Sequence, residues 1–246
     1  VRPGWIPADW PAPPGVHGGT TTRAGGVSEG PYASLNLGDR VGDDPARVAG
    51  NRALLRASLG LPAEPLWLRQ VHGCGLGEVA GCEADASIAR GPGRVCAVLS
   101  ADCLPVLLCD RAGTVVAAAH AGWRGLAAGI LERTVRAMGV RPDDLLAWLG
   151  PAIGPDAFEV GPEVRAAFVA ADPDAAPAFR HSRRERWWAD LYALARRRLE
   201  RAGTGTVSGG GFCTHTDAQR FFSYRRAPVC GRMATLIWLD GGETSE

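Results

Sequence analysis

Between Arg94 and Ala119 polar residues nearly vanish. VCAVLS, LPVLLCD and TVVAAA are apolar, β-rich runs of strand length, and Asp110-Arg111-Ala112-Gly113 supplies turn chemistry between the last two. The pattern predicts a buried hairpin preceded by another strand. With the turn centred between Arg111 and Ala112, Cys103 falls opposite His120 to within one residue, which sets their Cβ atoms about 4.5–5.5 Å apart when directly paired. The period then changes: Leu126, Ile130, Leu131, Val135 and Met138 recur at helical spacing until Gly139 ends one continuous helix.

Upstream, Asp44 as N-cap and Pro45 at the first position open a helix that runs to about Ser58 and stops at Gly60, with Val48, Leu55 and Leu59 on its apolar side. Two more helices are expected, one opening at Pro162 and one across Asp190 to Arg201. Short strands are expected near Leu145 to Leu149, Thr206 to Cys213 and Ala234 to Leu239. The proline-rich stretch through Pro14 should wrap the surface. GGTTTRAGGVSEGPYASLNLGD reads as strand ends joined by tight turns, and FFSYRR as an alternating aromatic strand. Strands do not alternate strictly with helices, so the expected fold class is α+β: a single domain over residues 1–246, with mixed β-sheets packed together and flanked by helices.

Twenty-seven basic residues against 26 acidic ones leave a formal charge of +1, too little to hold a nucleic acid, so a small-molecule ligand is expected. Every basic residue is arginine. The absence of lysine removes Schiff-base catalysis and the P-loop lysine, and leaves any phosphate to arginine forks or backbone N–H groups. Seven cysteines, an odd number scattered through apolar runs, point to a reducing compartment and not to a disulfide framework. No run is long enough to span a bilayer, so a cytoplasmic protein without membrane contact is expected.

The chain has five histidines. His120 ends a strand before Ala-Gly-Trp-Arg-Gly, where side chains open into a cleft. Cys103 follows Ala101-Asp102 and precedes Pro105, a break that suggests a strand end or bulge. His72, in RQVHG, is the other histidine between an apolar run and a permissive glycine. Three ligands with an open fourth position are the catalytic pattern for zinc. Isolated His and Cys are also common as core residues, and spacing alone leaves that alternative open.

Seven segments together carry a resemblance: RAGGVSEGPYASLNLGDRVGDDPARVAGNR, QVHG, ADCLPVLL, HAGWRGL, GPAIGPDAFEVGPEV, FCTHTDAQRFFSYRR and CGRMATLIWL. In this order they resemble the YfiH-type family, laccase-domain proteins also known as purine nucleoside phosphorylases. The likeness runs from about Gly15 to Leu239; Phe158 and Ala189 depart from it where the family often has tyrosine and an aromatic residue. The resemblance implies Zn²⁺ held by His72, Cys103 and His120. It also implies phosphorolysis of adenosine, inosine, guanosine and methylthioadenosine with phosphate as co-substrate, and adenosine deamination as a second activity.

Deamination requires a carboxylate beside the metal, for which Asp102 and, less so, Asp85 are candidates. Phosphorolysis requires a docked phosphate, for which Arg23, Arg52, Arg225 and Arg226 are candidates, with Asn36 and Ser223 as hydrogen-bonding partners. Each has a structural alternative as an ion-pair or turn residue. Phe221, Phe222 and Tyr224 are candidates for stacking on a purine or for core packing, and Trp123 with Arg124 for the cleft wall. Cys213, His215 and Cys230 read as structural, and Cys74, Cys82, Cys96 and Cys109 as apolar fillers. Two rival chemistries remain. A copper-dependent polyphenol oxidoreductase would need a further imidazole-rich cluster that so few histidines cannot build, although copper is an easy adventitious occupant of a Cys-His site. A metal-free hydrolase would use Cys103 as nucleophile and His120 as base.

Overall fold

The computed structural model describes residues 3–241. It opens with strands β1 (Trp5–Pro7) and β2 (Val16–Thr21), so the proline-rich start is an edge strand antiparallel to β2 and not only a surface wrap. Helix α1 (Pro45–Leu59) has the expected ends: the Asp44 carboxylate accepts from the Ala46 N–H at 2.8 Å, and Gly60 leaves the helix in the left-handed region at φ 59°. Strands β3 (Leu76–Gly77) and β4 (Ala86–Ala89) precede the apolar stretch, which forms β5 (Val95–Ser100), β6 (Leu104–Asp110) and β7 (Val116–Ala121).

The helix expected after β7 is two helices, α2 (Trp123–Ala128) and α3 (Ile130–Met138). Gly129 divides them: its φ of 94° ends α2 in a left-handed cap, with its N–H turned back to Gly125 and Leu126. The apolar period survives the break because Leu126, Ile130, Leu131, Val135 and Met138 all enter one core cluster. The remaining elements are β8 (Leu145–Leu149), β9 (Glu159–Val160), α4 (Pro162–Val169), β10 (Phe179–His181), β11 (Trp187–Ala189), α5 (Leu191–Arg201), β12 (Thr206–Gly209) and β13 (Met233–Leu239). β12 stops four residues short of Cys213, because Gly209, Gly210 and Gly211 take φ of 77°, 84° and 82°, outside the β region. FFSYRR is a turn segment; adjacent Phe221 and Phe222 are both buried, which an alternating strand does not allow.

The strands form a four-stranded sheet in the order β1-β2-β13-β5, a six-stranded sheet β12-β8-β6-β7-β4-β3 and a small sheet β10-β11-β9. The six-stranded sheet is mixed: β12 and β3 run parallel to their neighbours and its other pairings are antiparallel. The two larger sheets share a core in which Cys96, Val98 and Ile237 meet Leu107, Val116, Ala118 and Trp148. Helices cover the outer faces. Leu55 of α1 packs with Trp67, Leu236 and Trp238, and α3, α4 and α5 pack over the outer face of the six-stranded sheet. This is the expected α+β arrangement. No helix among the described residues is long and apolar enough to cross a membrane.

The β6–β7 register departs from expectation. Pro105, not Cys103, lies opposite His120. Asp110 enlarges the turn by accepting from the Thr114 N–H at 2.7 Å, the Thr114 hydroxyl at 2.7 Å and the Val115 N–H at 3.0 Å, and Gly113 takes φ 67°. The turn is therefore centred one residue later, which moves the residue opposite His120 by two. Cys103 lies just before β6, in a turn where Asp102 has φ 96°.

Candidate metal centre

Three separate segments deliver His72, Cys103 and His120 to one end of the gap between the two larger sheets. Their ligand atoms all lie within 4.8 Å of one another, and among the described residues they form the one such group of three His, Cys, Asp or Glu side chains. Cys103 Sγ is 3.7 Å from His72 Nε2, and the two imidazole rings meet edge to face with centroids 4.8 Å apart.

The local structure is organised by Asp85, which is fully buried. Its carboxylate accepts the N–H groups of Val71, His72 and Gly73 at 3.2, 2.9 and 2.7 Å, and lies 2.9 Å from His120 Nδ1. One side chain thus holds the turn in which His72 adopts φ 59° and orients the other histidine, leaving His120 Nε2 for the ligand position. The Gln70 side chain pins the same turn to β5 through the Leu99 N–H at 2.7 Å and the Leu99 carbonyl at 2.9 Å.

Gly122 closes the other side. A Cβ there would lie 3.0 Å from Cys103 Sγ, 3.0 Å from His72 Cδ2 and 3.5 Å from His120 Cε1. The missing side chain leaves a cradle bounded by all three ligand residues, which fits a bound ion. The donor set of one thiolate and two imidazoles suits zinc, with a position left open. Electrostatics favour the deprotonated thiol: burial opposes the thiolate, but the charge of His120 and hydrogen bonds from both histidines outweigh it and bring Cys103 down to about 6. Burial likewise opposes charge on His120, and the Cys103 thiolate with Asp85 raises it to about 9.

Asp102 has a structural part. Its oxygens accept the Thr214 hydroxyl and the Arg225 N–H, each at 2.6 Å, and its carbonyl accepts the Ile153 N–H at 2.9 Å. It ties the Thr214 and Arg225 loops to the turn that presents Cys103.

The centre opens into a cleft of about 530 Å³ whose lining includes Arg40, Arg69, Arg124, Arg225 and Arg232, with two carboxylates, Asp39 and Asp102. Trp123, Phe158 and Tyr224 add aromatic surface. Of the six residues named from sequence for docking phosphate, Arg225 lines this cleft; its guanidinium donates to the Glu159 carbonyl at 2.8 Å and lies over the Phe158 ring. The other five are placed outside the lining. Arg23 donates to the Ala33 carbonyl at 3.0 and 2.8 Å, and Asn36 is buried between Gly38, Asp43 and the Arg232 backbone. Arg52 holds the Leu37 carbonyl and faces a separate, open groove of about 710 Å³ beside α1, and the buried Ser223 hydroxyl accepts the Arg226 N–H at 3.2 Å. Arg226 spends its guanidinium on the carbonyls of Thr214, His215 and Phe221.

Arg40, Arg69 and Arg232 lie in or beside the recognised motifs but carried no spacing signal, because the cleft draws them from distant turns. The roles of Asp85 and Gly122 depend mostly on contacts with residues a dozen or more positions away, which no local pattern records.

The family profile described as multi-copper polyphenol oxidoreductase laccase matches residues 17–240. The chain is 54% identical over 240 residues to an Escherichia coli protein named purine nucleoside phosphorylase YfiH, covering 95% of this chain and 98% of that one. It is 56% identical over 240 residues to Pseudomonas aeruginosa purine nucleoside phosphorylase PA4543, covering 96% and 98%. Among solved structures, Neisseria meningitidis protein NMB0706 superposes with a TM-score of 0.93 at 52% identity, covering 97% of this chain and 100% of that one. YlmD from Geobacillus stearothermophilus gives 0.91 at 31% identity, with 96% of each chain covered.

Proposed function

The chain belongs to the multi-copper polyphenol oxidoreductase laccase family, and from that premise we propose that it is a zinc-dependent purine nucleoside phosphorylase, acting on adenosine, inosine, guanosine and methylthioadenosine. The observation that carries this reading is the convergence of His72, Cys103 and His120 at the base of an arginine-lined cleft. The relatives named purine nucleoside phosphorylase support the substrate class.

In phosphorolysis a phosphate oxygen forms a bond to ribose C1′ while the C1′–N9 bond breaks, yielding ribose 1-phosphate and a purine that takes up a proton. Zinc, when held by His72, Cys103 and His120, supplies a Lewis acid at the base of the cleft. The arginines concentrate and orient the phosphate, with Arg225 as the retained sequence candidate. Tyr224, more than half exposed at the rim, offers a face for the purine. Phe221 and Phe222 are core residues here.

Adenosine deamination is a second reading with less support: Asp85 and Asp102 both have their oxygens engaged by protein donors, and the remaining lining carboxylate, Asp39, faces Arg52. Oxidase chemistry has less still. His17, His181 and His215 form no second group of metal-ligating side chains among the described residues. The Cys103–His120 pair keeps a metal-free hydrolase distinguishable only by metal content.

The experiment is chromatographic product analysis after incubating zinc-quantified protein with adenosine, with and without phosphate, beside Cys103→Ala. Adenine and ribose 1-phosphate, dependent on phosphate and lost in the variant, are expected. Inosine would add deamination. Zinc-loaded protein that leaves every purine nucleoside intact would refute the phosphorylase reading, and activity retained without metal would favour the nucleophilic cysteine.

A further inference from the structure

Resting on the phosphorolysis reading above, we propose that Ser100 donates a hydrogen bond to the phosphate co-substrate at the base of the cleft. Ser100 is the last residue of β5, three before Cys103. It is 3% exposed, lines the cleft with His72, Cys103 and His120, and its Oγ has no hydrogen-bond partner. Six buried side-chain polar atoms are unpartnered among the described residues, and Ser100 is the one residue of that set in the cleft lining.

Strand geometry aims the hydroxyl. Ser100, Val98 and Cys96 pair with Met233, Thr235 and Ile237 of β13, and alternation turns all three β5 side chains to one face. Cys96 and Val98 pack there against Val116 and Ala118 of β7, in the gap between the sheets. The same alternation along β7 carries that face from Val116 and Ala118 to His120. Ser100 and His120 therefore turn into the same gap, at the end where the three ligand residues gather.

A hydroxyl offers one donor and two acceptors, and a buried one is normally paired. The surroundings choose the partner. Five arginines and two carboxylates line the cleft. Arg69 pairs with Glu83, and Arg225 and Arg232 donate to backbone carbonyls. Arg40 and Arg124, however, have no carboxylate partner among the described residues, and both oxygens of Asp102 are already taken, so the group that enters is an acceptor-rich anion. A phosphate held by arginines at the mouth presents further oxygens inward, and Ser100 is placed to donate to one of them.

The test uses zinc-loaded Ser100→Ala protein beside wild type, with inorganic phosphate as the probe in thermal unfolding and in steady-state phosphorolysis. An orphan hydroxyl that waits for ligand costs stability in the free protein, so the variant should melt at the same temperature as wild type or higher without phosphate. Its phosphate-induced rise in Tm should fall by more than half. The KM for phosphate should increase about tenfold, with zinc stoichiometry and nucleoside KM unchanged. Loss of stability without phosphate would identify Ser100 as a structural group and overturn the proposal. An undiminished phosphate response, a rise in nucleoside KM alone, or a wild type whose Tm ignores phosphate would overturn it too. A wild type that responds to phosphate through Ser100 but forms no ribose 1-phosphate would refute phosphorolysis and leave the oxyanion contact standing.

Discussion

Asp85 shows how much one side chain carries at this centre. Four donors meet its carboxylate, three from the His72 turn and one from His120, so its loss frees both histidines at once. Asp85→Ala should weaken zinc binding about 10–100-fold, as second-layer substitutions do at other metal sites, read by competition with a chromophoric chelator; wild-type affinity in the variant would refute this account. Cys103 gives a prediction in pH. Its thiol is held down at about 6 in the metal-free protein, so it is largely thiolate above that pH and protonated below it. Iodoacetamide labelling of the Cys103 peptide, followed by mass spectrometry, should reach half its maximal rate near pH 6. A midpoint near the ordinary thiol value of about 8.5 would show that His120 does not stabilise the thiolate. The same sign holds for the metal: protons compete for the thiolate, and zinc affinity should fall as pH drops through 6.

At the scale of elements, helix ends and strand runs were largely legible, because Asp44, Pro45 and Gly60 act within a few residues of themselves. Hairpin register was not. It turned on the Asp110 carboxylate folding back on Thr114 and Val115, a side-chain contact that hydrophobic periodicity does not record. Asp110→Ala removes those bonds and leaves the buried Val115 N–H unpaired, for an expected destabilisation of about 1–3 kcal/mol in denaturant unfolding. A change under about 0.5 kcal/mol would mean that the turn holds its register without the carboxylate. Gly129 is a parallel case: the apolar period read through it, since periodicity reports which face is buried and not whether the backbone is continuous.

For the whole molecule, the candidate metal ligands sit at the ends of elements while the cores lie between and outside the sheets. Chelation should therefore leave far-UV circular dichroism unchanged and lower the Tm, by an amount corresponding to about 2.7 kcal/mol when zinc was present at a hundred times its Kd. Loss of secondary structure on chelation would contradict that separation. The sequence by itself determined the strand runs, the capped helices, the α+β class, the exclusion of lysine chemistry and the identity of the three residues that meet at the centre. These depend on residue type and short-range period, or on motifs that a family likeness records. Tertiary structure alone decided that Asp85 braces the histidines, that Asp102 is a structural tie, that Arg23, Asn36, Arg52 and Ser223 hold backbone, and that Arg40, Arg69 and Arg232 join Arg124 and Arg225 in lining the cleft. The physical reason is that a buried carboxylate or guanidinium is committed by whichever donors and acceptors the fold brings within about 3 Å, and those come from segments too far apart in the chain for any spacing rule to connect.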